Sequence, residues 1–194
     1  MSKTVKLAVL YPGHLNLNGD AANFDVLQRR LEWYGIGSAI HEIVKPVNLE
    51  KFDYLLLGHG SPDAWNQLAD IDSDLINKLV KLVRAGVPVM AVSSGYEILF
   101  EALNESTTKH AERVSSFKDS DGVVGYVNSE AQLPEISWVE NSLLTLFHGP
   151  VFAKNPELAD KFLGDVFTSA KSSSSELSYV NDLAAASRRV AFED

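Results

Sequence analysis

Two residues stand where an acyl-transfer centre could be assembled. Ser93 follows the apolar run Val87–Val92 and precedes a helical pattern beginning at Ser94-Gly95-Tyr96-Glu97. A strand that turns sharply into a helix exposes the turn side chain and aims the following N–H groups at the same space. His148 follows a second apolar run, Leu143–Phe147, so both residues are expected at one edge of a sheet. A histidine there can take a proton from a nucleophile and return it to a leaving group. The residue types equally suit a plain strand end at Ser93 and a cap at His148.

Three further positions could complete such a centre. Gly58-His59-Gly60-Ser61 follows the apolar Tyr54–Leu57, and its N–H groups could approach a substrate oxygen, although a tight turn explains the glycines as well. Asp20 could orient His148 or cap the helix that follows it. Arg113 is a candidate clamp for a carboxylate.

The elements that must position these residues alternate between strand and helix. Strands are expected at Val5–Tyr11, Ser38–Ile43, Tyr54–Leu57 and Val87–Val92, with helices at about Ala22–Tyr34 and Ser73–Ala85. That alternation predicts an α/β fold, a doubly wound, mostly parallel sheet with helices on both faces. Such sheets bind ligands beyond the carboxyl ends of their strands, where the loops Pro12–Asp20, Gly58–Ser61 and the Ser93 turn would converge. Asn104–Asp121 reads as a polar surface excursion. Strands follow at Val123–Val127 and Leu143–Phe147, then a helix at Pro156–Phe167 capped by Asn155. A serine-rich linker at 169–175 and a last helix over Leu177–Ala191 complete the chain.

Composition narrows the function. With 194 residues and 45% hydrophobic content, one domain spanning residues 1–194 is expected. A formal net charge of -9 argues against nucleic acid, and the pairs Arg29-Arg30 and Arg188-Arg189 read as solvated helix faces. No cysteine is present, which excludes a cysteine nucleophile, and the five histidines lack metal-binding spacing, so no metal and no cofactor are expected. No run is long enough for a membrane span, and a cytoplasmic location is the expectation.

Particular segments resemble a known family. Gly19-Asp20, Asn23 and Leu27-Gln28-Arg29-Arg30-Leu31-Glu32-Trp33-Tyr34-Gly35-Ile36 resemble the opening of class I glutamine amidotransferase-like proteins of the cobyric acid synthase group. His148-Gly149-Pro150 with Lys154-Asn155-Pro156-Glu157-Leu158-Ala159-Asp160 is similar to the H-G-P-x-x-x-K-N-P-E-L-A-D segment of the glutaminase subunits of lipid II isoglutaminyl synthases.

The resemblance implies a centre in which a cysteine, aided by a histidine, attacks the carboxamide of glutamine and ammonia passes to an ATP-using, Mur ligase-like synthetase. It places the cysteine's position at Ser93, the histidine at His148 and the acidic residue at Asp20. The oxyanion loop falls on Gly58, His59 and Gly60, with Ser94 after the elbow, and the glutamine-holding arginine at Arg113. The departures are specific. The family reads C-G-G-Y-Q where this chain reads Ser93-Ser94-Gly95-Tyr96-Glu97, and G-G-G-Q where it reads Gly58-His59-Gly60-Ser61. A hydroxyl needs stronger base help than a thiol. The expectation is therefore a glutaminase-like subunit of peptidoglycan synthesis that is catalytically impaired and binds glutamine or a related small molecule. The alternatives are an active glutaminase in which Ser93 is an engineered change, and a serine hydrolase using Ser93, His148 and Asp119 or Asp121.

Overall fold

The computed structural model describes residues 4–164, 166 and 175–191. The apolar runs become strands β1 (Val5–Leu10), β3 (Tyr54–Leu57), β4 (Val89–Val92) and β8 (Ser142–Thr145). Their side chains are buried on both faces, which is why they read as continuous rather than alternating apolar segments. With β2 (Ser38–Ile43) and β7 (Ile136–Val139) they form one sheet in the order β2-β1-β3-β4-β8-β7, parallel except for the β7–β8 pair.

The order reverses between β1 and β3. The connection through α1 (Ala22–Trp33) leads outward to β2, whereas α3 (Leu75–Arg84) and α4 (Ser94–Asn104) carry the chain the other way to β4 and β8. Right-handed crossovers put helices reached in opposite directions on opposite faces of the sheet. The reversal also opens a crevice at the carboxyl ends of β1 and β3.

Several elements differ from the sequence reading. The expected excursion before Asp121 contains β5 (His110–Ser120), paired antiparallel with β6 (Val123–Ala131) in a second sheet of order β5-β6-β9. The strand expected over Leu143–Phe147 is two: after β8 the chain leaves the main sheet, and β9 (Phe147–His148) pairs with β6. A helix was also missed, α2 (Pro62–Ile71), which Ser61 caps by accepting from the Ala64 N–H and Pro62 starts. α5 (Val151–Lys154) and α6 (Pro156–Leu163) follow β9, and α7 spans Ser175–Val190. Pro156 opens α6 as expected, but Asn155 does not cap it. Its amide instead accepts from the Val124 N–H and donates to the Val124 and Val151 carbonyls, tying the small sheet to α5. Of the expected linker at 169–175, residues 169–174 lie outside the described residues, as does the end of the helix at Phe167, and Ser175 already belongs to α7.

Arg30 is a second correction. It is 1% exposed rather than solvated, and its guanidinium holds both carboxylate oxygens of Asp160 at 2.8 and 2.6 Å. It also donates to Tyr34 Oη and Asn181 Oδ1, which links α1 to α6 and α7. Burial is the main reason the Tyr34 hydroxyl is pushed up to about 12. Arg188 likewise packs onto α6, donating to Glu157 and the Lys154 carbonyl. Removing Asp160 alone would leave a desolvated cation, so Asp160→Ala is expected to cost about 3–5 kcal/mol in urea unfolding. A double change of Arg30 and Asp160 to apolar residues should cost less than Asp160→Ala.

Candidate functional site

The three loops at the carboxyl ends of β1, β3 and β4 meet in the crevice. Leu17 donates its N–H to the His59 carbonyl at 3.1 Å. Gly58 packs so closely on the Leu15 carbonyl that any Cβ there would collide with it, and a Cβ at Gly95 would lie 2.7 Å from the Gly58 carbonyl oxygen. These glycines are therefore required by the approach of backbone to backbone.

Ser93 sits at the tip of the strand-to-helix turn with φ 49° and ψ -110°, a conformation an L-residue adopts only under constraint. The constraint is visible: its N–H donates to the Thr145 carbonyl at 2.8 Å, and Gly95 behind it is wedged against β3. Ser93 lines a cavity of about 470 Å³ with His59, Ser94, Glu97, Arg113 and Glu130 among its walls.

His148 does not line that cavity. Its chain crosses into the second sheet at β9, and no hydrogen bond joins its ring to Ser93. Nε2 faces the Asn128 carbonyl at 3.3 Å, which can only accept, so Nε2 carries the proton. Nδ1 then accepts from the Asn18 amide at 2.6 Å. Both ring nitrogens are occupied, and His59 stands edge-on to the ring with centroids 4.8 Å apart.

Asp20 neither caps α1 nor hydrogen-bonds His148, whose ring acts on the carboxylate only through its charge. It is fully buried, and its two carboxylate oxygens accept the N–H groups of His59 and Gly149, each at 2.9 Å. One side chain thus pins the loop after β3 to the loop after His148. Burial raises its pKa, opposed by the two backbone hydrogen bonds. Asn23 reinforces the same junction, donating to the Gly149 carbonyl and accepting from the Phe152 N–H.

The N–H groups placed where oxyanion donors would stand are already engaged. An elbow of this kind offers the N–H of the residue after its tip, together with an N–H of the neighbouring loop. Here the Ser94 N–H donates to His59 Nδ1 at 3.3 Å. The Gly60 N–H donates to Ser94 Oγ at 3.0 Å, and Ser94 Oγ donates back to the Gly60 carbonyl. Trp65 Nε1 adds a third bond to the same hydroxyl at 2.9 Å. His59 and Ser94 are thus the two side chains that engage these N–H groups. Trp65 was not foreseen, because α2 was not. The Ser61-Pro62 start signal was the clue available.

His59 must be neutral to accept at Nδ1. Burial, the His148 ring and Arg113 lower its pKa to about 4. The depressed value favours the folded state above pH about 6.5, and that contribution is lost as pH falls from there through about 4. Replacing His59 with Gln should flatten the stability profile over this window, which urea titrations at pH 7, 5.5 and 4 would read.

The remaining expected residues are placed as follows. Arg113 lines the cavity mouth, held by Glu130 Oε1 at 2.9 Å and Asn128 Oδ1 at 3.3 Å. Glu97 bonds His110 Nε2 at 2.9 Å on the same rim. Asp119 and Asp121 are at the β5–β6 turn, where Asp119 accepts the Gly122 N–H, so the residues of a Ser–Asp–His hydrolase are not assembled. Among the described residues no group of three or more His, Asp and Glu side chains is placed to hold a metal, and no helix is long and apolar enough to cross a membrane.

No family model matches the sequence, and no curated protein matches it. Solved structures do. A glutamine amidotransferase from Thermotoga maritima is matched at a TM-score of 0.53 and 10% identity, covering 98% of this chain and 100% of that one. The fold is glutamine amidotransferase-like. Looser likenesses, at TM-scores of 0.48 and 0.40, are to PurLQS from Thermotoga maritima (12% identity, 86% of this chain and 98% of that one) and to DJ-1beta from Drosophila melanogaster (13%, 93% and 97%).

Proposed function

We propose that this chain is a glutaminase-fold subunit that no longer hydrolyses glutamine and instead binds glutamine or a related amino acid beside a synthetase. The observation that carries the reading is the occupied oxyanion site. A transition-state oxyanion needs free N–H donors, and here His59 Nδ1 and Ser94 Oγ already hold them. Loss of a nucleophile alone could be a single accident. Ser93 together with two side chains that fill the hole is a coordinated change.

The cavity suits a zwitterion. Its volume of about 470 Å³ lies in the range of small-molecule sites. Arg113 can meet a carboxylate, and Glu97 and Glu130 an ammonium group. The similarity of the His148–Asp160 segment to glutaminase subunits of lipid II isoglutaminyl synthases supports a Mur ligase-like synthetase as partner, and a role in peptidoglycan synthesis. The test is ammonia release from glutamine by the chain alone and with such a synthetase, alongside calorimetric titration with glutamine. Binding without release is expected. Ammonia release by the chain as it stands would overturn the proposal.

A further inference from the structure

The β5–β6 hairpin presents a free strand edge. Among the described residues β5 pairs only with β6, and its exposed pattern runs almost its whole length of 11 residues. Such an edge offers unpaired N–H and C=O groups to another strand. Its usual guards are incomplete. The register shift between His110 and Val114 disturbs one end, but Val114–Ser120 is regular and holds no proline. Apolar side chains stand on both of its faces: Phe117 and neighbouring Tyr126, 41% and 38% exposed, meet edge-on at 5.3 Å on one, and Val114, 40% exposed, lies on the other.

We infer that β5 pairs antiparallel with β5 of a second copy of this chain, across a two-fold axis at Phe117. A two-fold contact must be self-complementary, and the charges along the strand select this register. With the axis at Phe117, Val114 faces Ser120, Ser115 faces Asp119 and Ser116 faces Lys118. Arg113 faces Asp121 just beyond, an opposite-charge pair that occurs twice, and no like charges face one another. Moving the axis to Lys118 sets that cation against its own copy. Moving it to Ser116 separates the two Phe117 rings and draws the irregular segment before Val114 into the ladder. In the favoured register Phe117 and Tyr126 of both copies form one aromatic cluster on a common face. The partner's Asp121 then adjoins Arg113, a wall of the cavity, so the second copy contributes a charge to the rim of the site.

The absence of cysteine makes the register directly testable. Directly opposed residues in an antiparallel ladder stand at Cα distances of about 4.5–5.5 Å, within disulfide reach. Under mild oxidation Phe117→Cys should form a covalent dimer, Val114→Cys alone should not, and the pair Val114→Cys with Ser120→Cys should. Without oxidant, sedimentation should show a reversible dimer. Phe117→Lys should weaken it at least tenfold. Arg113→Asp and Asp121→Arg should each weaken it, and the double swap should restore it. A monomer at millimolar concentration, crosslinking by Val114→Cys alone as fast as by Phe117→Cys, or β5 amides protected from exchange only by a synthetase would each overturn the inference.

Discussion

Ser93→Cys alone is expected to leave glutamine hydrolysis at background, whereas adding Ser94→Gly and His59→Gly should raise it by at least 100-fold. The cysteine supplies a better nucleophile, since a thiol of pKa about 8.5 yields thiolate far more readily than a hydroxyl ionises. It does nothing for the charge that develops on the carboxamide oxygen. Losing one oxyanion donor costs on the order of 10²–10³ in turnover, and here both the Ser94 and Gly60 N–H groups are held by side chains. Ser94→Gly frees the Gly60 N–H by deleting the hydroxyl, and His59→Gly frees the Ser94 N–H by deleting the imidazole. Loss of the imidazole also leaves His148 without its edge-on neighbour. The measurement is ammonia released from glutamine by each variant. Full activity in Ser93→Cys alone would mean that the internal bonds yield to substrate, and the coordinated-loss reading would fail.

A large loss of stability is expected from Asp20→Ala. Its two oxygens are the acceptors of the His59 and Gly149 N–H groups, and the side chain is fully buried. An orphaned buried donor costs about 1–3 kcal/mol, so two cost about 2–6 kcal/mol before any relaxation. Asp20→Asn should lose less, because the amide keeps one acceptor and turns a donor towards the other N–H. Chemical denaturation of the three proteins gives the order wild type, Asp20→Asn, Asp20→Ala. Equal stability of Asp20→Ala and wild type would show that water replaces the carboxylate. A functional readout should move with it: once the loops separate, titration with glutamine should weaken.

The centre of the main sheet was legible because β3, β4 and most of β1 are buried on both faces and leave apolar runs. β5 was not, because it is exposed along almost its whole length, and the polar pattern His110–Ser120 resembles a loop. The division of β8 from β9 also escaped notice. Leu143–Phe147 is apolar apart from Thr145, and a single threonine inside such a run does not mark Leu146 as the point where the chain changes sheet. Asp20 and Arg30 are instructive in another way. Local rules assign the first to a helix cap and the second to solvent, yet both serve contacts more than 100 residues away in sequence, with Gly149 and with Asp160. The contact of His59 and Ser94 needed the fold, since only the meeting of the β3 and β4 loops brings each side chain onto an N–H group of the other's loop.

The turn at Ser93 carries a further meaning. Its backbone holds a conformation that costs about 1–3 kcal/mol, although among the described residues no hydrogen bond joins its hydroxyl to a base. What keeps it there is the Thr145 carbonyl in front and the passage of Gly95 against β3 behind. The bend therefore belongs to the architecture and not to the reaction it would serve elsewhere. The corner is held independently of whichever side chain stands at its tip, so a residue exchanged there meets geometry that is already set.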